Sequence, residues 1–288
     1  MKKASRAKGT RDFLPEQMRR RNKVIEVIRE VFECYGYEPM ETPSLEKWEV
    51  LKGKLGDEGE QLLFKILRRG NHTPLEQLRH KKITEATYTS FEDAVDLALR
   101  YDLTVPFSRV LAMNSGLAKP FKRYQIQPVW RADQPSKGRF REFYQCDVDI
   151  AGCAGMMADA EITAIVHDVM VKLGFKDFRI RLNHRKLLNG LVDVAGGKEH
   201  LQDLCVAIDK LDKIGVKGVK AEFERRGIAE EVGDAVLQNL SFKGSPEEVL
   251  AAIEPLLADH PEGQAGIAET RELFELLSHL GIDPAFTP

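Results

Sequence analysis

An α+β fold with mainly antiparallel pairing, followed by a helical module, is what this chain of 288 residues predicts. Three observations carry that prediction. Apolar residues recur at helical spacing near the start, at Met18, Ile25, Ile28, Val31, Phe32 and Tyr35. Two strand-like stretches, 123–131 and 140–150, flank the turn chemistry of Asp133-Gln134-Pro135-Ser136-Lys137-Gly138, which predicts an antiparallel hairpin with a long loop. Beyond about His184 every apolar stretch has helical spacing.

The elements follow in order. Pro15 suits a first helical position, and Gly36 sits where a C-terminal cap belongs. Tyr37 to Glu41 predicts a short edge strand, because Pro39 cannot donate to a central ladder. Leu62 to Ile66 predicts another strand. The polar, aperiodic stretch 68–96 predicts an exposed excursion. After the hairpin, 159–173 predicts an amphipathic helix ended by Gly174, and 178–182 a strand. Helices are then expected at 187–194, 201–214, 216–226, 230–240, 246–258 and 266–280, with Gly196-Gly197 as one of the breaks. The change of character at 183–187 divides the chain into a mixed segment, 1–184, and an all-helical segment, 185–288. No solenoid repeat is evident.

Hydrophobic residues make up 43% and charged residues 31%, a core-forming composition that excludes intrinsic disorder. No apolar run reaches the length of a membrane helix, and no apolar stretch follows the basic start, so neither a membrane span nor a secretory signal is expected. Cys34, Cys146, Cys153 and Cys205 lie far apart, which fits neither a disulfide framework nor a zinc site. They read as reduced thiols of a cytoplasmic protein, with Cys146 and Cys153 packed. Net charge is -2, yet Lys2, Lys3, Arg6, Lys8, Arg11, Arg19, Arg20, Arg21 and Lys23 crowd the start. Such a cluster suits a polyanionic partner, although a solvated helix face accounts for it as simply.

Phosphate-binding loops of the P-loop and dinucleotide kinds are missing, as are a zinc-protease helix and a hydrolase nucleophile elbow. No metal site built from cysteine and histidine is expected. The hairpin is the informative part. Strand alternation puts Arg139, Arg141, Phe143, Gln145, Asp147 and Asp149 on one face, and Arg131 and Asp133 together on the preceding strand. Arginine forks suit phosphate oxygens, Phe143 offers a flat surface to a base, and Gln145 with Asp149 suits a small ligand bearing an ammonium group. That combination fits a nucleotide plus an amino acid. A solvent-exposed ribbon with cross-strand ion pairs fits it equally.

The stretch from Phe121 to Asp149, with Val129-Trp130-Arg131-Ala132-Asp133 and Gly138-Arg139-Phe140-Arg141-Glu142-Phe143-Tyr144-Gln145, resembles motif 2 of class II aminoacyl-tRNA synthetases, and in detail the histidyl-tRNA synthetase family. Lys8-Gly9-Thr10-Arg11-Asp12-Phe13-Leu14-Pro15 resembles that family's N-terminal signature. The helix leading through Tyr35-Gly36-Tyr37 to Glu41-Thr42-Pro43 resembles motif 1, which builds a dimer interface. Leu99 to Pro106 resembles the histidine-binding segment, and the helical part after His184 resembles the family's insertion domain.

The resemblance implies a class II synthetase-like antiparallel sheet flanked by helices. It also implies ATP-dependent activation of L-histidine to histidyl-adenylate, transfer to tRNA(His), Mg2+ accompanying the ATP, and a homodimer. Carried over position by position, it assigns Arg131 to the ATP α-phosphate as a catalytic residue, with Phe143 stacked on adenine and Asp133 at the adenine end. Asp102, Thr104, Gln145 and Asp149 would bind histidine, and Gln134, Ser136 and Lys137 would approach the tRNA acceptor end. Arg139 and Arg141 would either serve the phosphates or brace the hairpin. Several positions carry aspartate where many relatives have glutamate, which draws a carboxylate back by about 1.5 Å.

The family's Arg-Gly-Leu-Asp-Tyr-Tyr segment, its glycine-rich motif 3 and its anticodon-binding domain do not occur before Pro288. The expectation is therefore a truncated ligase, not active alone. Two other readings stay open. One is a histidine-sensing paralogue such as the regulatory subunit of ATP phosphoribosyltransferase, against which Arg131, Phe143 and the hairpin loop argue. The other is an inactive tRNA-binding fragment, disfavoured by the acidic runs Glu222-Phe223-Glu224 and Glu247-Glu248.

Overall fold

A computed structural model describes residues 4–52, 62–67, 95–282 and 285–286. The chain divides into two compact units, Met1–Cys153 and Ala154–Pro288. The sequence reading puts the change of character later, at 184. Helix 156–172 groups with the second unit because helix 261–279 packs along it.

In the first unit, α1 runs from Pro15 to Cys34, with the Gln17 carboxamide accepting from the Leu14 N–H at its start. Strand β1 (Glu38–Pro39) follows and pairs in parallel with β5 (Phe121–Trp130). Strand β5 pairs with β6 (Glu142–Ala151) in a ten-residue antiparallel ladder, giving a sheet of order β1-β5-β6. Pro39 thus sits on an edge, as its missing donor requires. Tyr124 points to the α1 side of this sheet, where its ring lies 5.6 Å from that of Phe32 and its hydroxyl donates to Glu33.

A second antiparallel sheet has the order β2-β4-β3, from Leu45–Lys47, Val95–Leu99 and Lys65–Leu67 respectively. Trp48 and Leu51 of the short helix α2 (Trp48–Leu51) pack on it with Leu63, Val95, Ala98 and Tyr101. Of the excursion expected at 68–96, residues 68–94 lie outside the described residues; Val95 and Asp96 instead open β4. Helix α3 (Thr104–Met113) leads from this sheet to β5.

The second unit is built from α4 (Met156–Lys172), α5 (Arg185–Val194), α6 (Leu201–Ile208), α7 (Leu211–Arg225), α8 (Glu230–Asn239), α9 (Pro246–Ile253) and α10 (Pro261–His279). One core gathers Leu187, Leu191, Val249, Leu250, Ile253, Leu257, Ile267 and Phe274, all from the amphipathic faces of α5, α9, α10 and the turn after α9. A second gathers Val192, Leu204, Val219, Phe223, Ile228 and Val236.

Several expectations are corrected here. The helix expected at 201–214 ends at Ile208, and the next begins at Leu211 and changes direction at Gly215, φ +67. The strand expected at 178–182 is only β7 (Arg181–Leu182), which pairs in parallel with β8 (Ala285–Phe286), so the second segment is not wholly helical. All four cysteines are free, but Cys146 and Cys153 are exposed and not packed. Cys146 belongs to the face of β6 opposite Gln145 and Asp147, which alternation along the strand demands.

Candidate functional site

The β5–β6 register decides which side chains meet. Arg123 stands opposite Asp149, Gln125 opposite Asp147, Gln127 opposite Gln145 and Val129 opposite Phe143. Directly opposed residues of an antiparallel pair share a face. One face of the ribbon therefore carries two arrays: Arg123, Gln125, Gln127 and Val129 from β5, and Phe143, Gln145, Asp147 and Asp149 from β6.

The β5 array is committed to the scaffold. Arg100, 1% exposed, donates to the Pro128 carbonyl, to Thr42 and to Gln127 Oε1. Gln125 Nε2 donates to Thr42 Oγ1 (2.9 Å) and to Gln127 Oε1 (2.6 Å). Burial lowers the Arg100 pKa, with Glu41 and Glu46 opposing. Backbone bonds from Arg100 N to Ser44 O and from Trp130 N to Arg100 O complete the clamp. It fixes residues 100–103 beside β5, and with them the Tyr101 carbonyl and Asp102.

The β6 array is half-buried and open. Arg131 donates through Nε to the Tyr101 carbonyl (3.0 Å), and its Cζ lies 5.2 Å from the Phe143 ring. Among the described residues neither Nη of Arg131 has a partner. Asp102 Oδ1 accepts from the Val105 N–H at the start of α3 (3.1 Å), where Thr104 is exposed. Burial raises the Asp102 pKa, against the Val105 hydrogen bond and the charges of Arg131 and Arg123. Gln145 Oε1 is buried with no donor. Arg123 Nη2 lies 2.7 Å from Asp149 Oδ2 and 3.1 Å from the Leu103 carbonyl that accepts from it. Asp149 is raised by burial and lowered by Arg123. Asp147 is pushed up to about 6, first by burial and then by Asp149.

Arg139 and Arg141 take the bracing role. Arg139 pairs with the Asp133 carboxylate (Nη2 to Oδ1, 3.1 Å), and Arg141 Nε donates to the Asp133 carbonyl. Both precede β6, so they stand apart from the Phe143–Asp149 array. Asp133 is thereby held within the hairpin, while Gln134, Ser136 and Lys137 are exposed at its tip.

The structure thus brings together Arg131, Phe143, Asp102, Gln145 and Asp149, with Thr104 at the rim. Sequence reasoning missed Arg100, Arg123, Gln125 and Gln127, and gave Asp147 no role. The signal was present: Arg123, Gln125 and Gln127 are polar at every second position of a strand otherwise rich in Tyr, Ile, Val and Trp.

The model of the family described as histidyl-tRNA synthetase matches residues 9–75 and 75–287. A curated relative named histidine–tRNA ligase, from Cytophaga hutchinsonii, is 42% identical over 286 residues, 99% of this chain and 63% of the relative's length. Among solved structures, the histidyl-tRNA synthetase of Nostoc sp. PCC 7120 superposes with a TM-score of 0.77 at 29% identity, covering 98% of this chain and 60% of that one. A Bacillus halodurans C structure described as an ATP phosphoribosyltransferase regulatory subunit/histidyl-tRNA synthetase shares the fold, with a TM-score of 0.75 at 24% identity over 98% of this chain and 67% of its own. The chain therefore spans less than two thirds of the length of the first of these relatives.

Proposed function

Because the chain belongs to the histidyl-tRNA synthetase family, we propose that the open face of the β5–β6 ribbon binds ATP and L-histidine for histidyl-adenylate formation within a histidine–tRNA ligase. The observation that carries this reading is Arg131. Its Nε is anchored on the Tyr101 carbonyl, its Cζ lies 5.2 Å from the Phe143 ring, and neither Nη has a partner among the described residues. A forked cation held in this way suits an α-phosphate.

In the proposed reaction the histidine carboxylate attacks the α-phosphorus and pyrophosphate leaves. Negative charge grows on the equatorial oxygens in that step, and a preorganised guanidinium stabilises it without rearranging. Phe143 stacks on adenine. The α-ammonium of histidine takes Asp102, the exposed Thr104 and the buried, donor-less Gln145 Oε1 as its acceptors. In the second step a terminal hydroxyl of tRNA(His) attacks the adenylate carbonyl and AMP leaves. Gln134, Ser136 and Lys137, exposed at the hairpin tip, suit contact with the acceptor end. As the family resemblance implies, magnesium would accompany the nucleotide as part of the substrate.

The same reading carries a cytoplasmic homodimer. Helix α1 supports the dimer, for only Val31 and Phe32 of its residues are buried while Leu14 before it and Val24 stay exposed. No helix among the described residues is long and apolar enough to cross a membrane.

Calorimetric titration of the chain with ATP and with histidine tests the reading. Arg131→Ala is expected to weaken ATP binding by at least tenfold, on the order of 2 kcal/mol, without unfolding the protein. Unchanged ATP affinity removes the phosphate role. Histidine binding with no ATP binding at all favours the histidine-sensing reading.

A further inference from the structure

The backbone around Arg131 is held from two sides. Trp130 N and Ala132 N donate to the carbonyls of Arg100 and Leu62, while Arg131 N donates to the Arg141 carbonyl (2.9 Å). Arg141 also donates through Nε to the Asp133 carbonyl, so one hairpin residue grips the chain at both Arg131 and Asp133. The Arg141 N–H is taken from outside the hairpin, by the Gly9 carbonyl (2.8 Å). Gly9 lies in a turn closed by Thr10, whose N–H and hydroxyl both donate to the Ala7 carbonyl.

Two residues on, the Arg11 guanidinium lies 3.6 Å from the centre of the Phe140 ring and 4.8 Å from that of Phe13. Arg21 of α1 covers Phe13 in turn at 3.5 Å and reaches Tyr144 of β6 at 4.9 Å. Guanidinium and ring thus alternate from Phe140 through Arg11, Phe13 and Arg21 to Tyr144, tying the hairpin, the N-terminal segment and α1 together beside Arg141. Arg11 is exposed and has no carboxylate partner among the described residues, so the two rings are what hold it.

Resting on the ATP-binding reading above, we infer that Arg11 is a positioning residue. Seated on Phe140, it keeps the Gly9–Arg141 contact closed, and through Arg141 it fixes the backbone from which Arg131 reaches the α-phosphate. A fork binds phosphate oxygens only when its donors are aimed together, and a displacement of about 1 Å spoils that aim. Histidine binding does not share this dependence. Asp102 is fixed separately, by the Val105 N–H and by the Arg100 clamp on Pro128 and Gln127.

The experiment is calorimetric titration with ATP and with L-histidine of Arg11→Ala and Phe140→Leu, each alone and each combined with Arg131→Ala. Arg11→Ala is expected to weaken ATP binding about three- to tenfold, the worth of a guanidinium stack, and to leave histidine affinity as it was. Phe140→Leu should act in the same direction. In the Arg131→Ala background neither change should weaken ATP binding further, because the group they position is gone. Arg11→Gln, planar but uncharged, should recover part of the loss. A further loss in that background would mean that the Arg11 charge acts on the nucleotide directly, and overturns the inference. Equal losses for ATP and histidine would mean general loosening, and overturn it too. If Arg11→Ala binds ATP as the unaltered chain does while Arg131→Ala does not, the inference fails and the ATP-binding reading stands. An unaltered chain that binds no ATP overturns both.

Discussion

Arg123 and Asp149 face each other across the β5–β6 ribbon, Nη2 to Oδ2 at 2.7 Å, with the arginine wholly buried and the carboxylate a quarter exposed. Burial pulls the Arg123 pKa down and pushes that of Asp149 up, and each charge opposes the other's shift. A pair in this state is held by mutual need, because either charge alone would be stranded.

Removing one partner should therefore cost more than removing both. Arg123→Met is expected to destabilise by about 3–5 kcal/mol, since it leaves Asp149 buried without its cation and the Leu103 carbonyl without its donor. Asp149→Leu should cost a similar amount. The double variant should lose clearly less than the sum of the two. Urea unfolding of the four proteins gives the coupling energy, and strict additivity would mean that the pair is not coupled.

Asp147 should behave in the opposite sense. Its folded pKa, about 6, lies above the ordinary carboxyl range. The folded state therefore binds the proton more tightly than the unfolded chain. The stability this gives is complete below about pH 4 and is lost as pH rises through 6. Asp147→Asn abolishes that titration. It is expected to stabilise the protein by about 1 kcal/mol near pH 7.5, after allowance for solvent screening, and to have no effect near pH 4. Chemical unfolding at the two pH values checks the sign. A variant less stable than the parent at pH 7.5 would show that the carboxylate is satisfied in the free protein.

The helices were legible because burial leaves a period-3.6 stripe in the sequence, and the hairpin because Asp133 to Gly138 is turn chemistry. Of the two ribbon strands, only β6 had its site residues legible, because they could be read as a list. The β5 half needed the register, which pairs Arg123 with Asp149 and Gln125 with Asp147 and is set by ten consecutive ladder positions. Alternation alone cannot say which of two like carboxylates has a buried partner on the neighbouring strand. Arg100 was harder still, since its partners Thr42, Gln127 and Pro128 come from segments far apart in the chain. Arg139 and Arg141 continue the alternation of 140–150 in sequence but stand outside the array, because the ladder starts at Glu142.

Two histidines of the second unit serve as helix caps. His184 Nδ1 accepts from the Lys186 N–H at the start of α5, and His260 Nδ1 accepts from the Gly263 N–H at the start of α10. In each case Nε2 faces a carboxylate, Glu269 at 3.0 Å and Asp193 at 3.2 Å respectively, which selects the tautomer protonated on Nε2. His184→Ala and His260→Ala are each expected to lose about 1 kcal/mol, as other N-cap deletions do, and His260→Asn to recover part of it. Thermal unfolding measures this; loss of activity without loss of stability would argue for a chemical role instead.

Gly9 is where the N-terminal segment is clipped to the hairpin. Its carbonyl accepts from the Arg141 N–H (2.8 Å), and the backbone there has φ +84. A Cβ at this position would stand 2.8 Å from both Arg141 Cγ and Pro135 Cγ. Beyond the clip, Arg11 lies over the Phe140 ring and Arg21 over the Phe13 ring, at 3.6 and 3.5 Å from the centroids, so the segment continues across aromatic surface. Gly138, with φ +82 but nothing within 4 Å of a Cβ, separates the two costs. Gly138→Ala should show the left-handed penalty alone, about 1 kcal/mol. Gly9→Ala should cost about 1–2 kcal/mol more, because the Cβ overlaps Arg141 and Pro135 and the segment is expected to lift away from them. Amide exchange distinguishes lifting from general loosening. In Gly9→Ala the Arg141 amide should exchange faster while the amides along the β5–β6 ladder keep their protection. Unchanged protection at Arg141 would mean that the hairpin gives way instead of the segment.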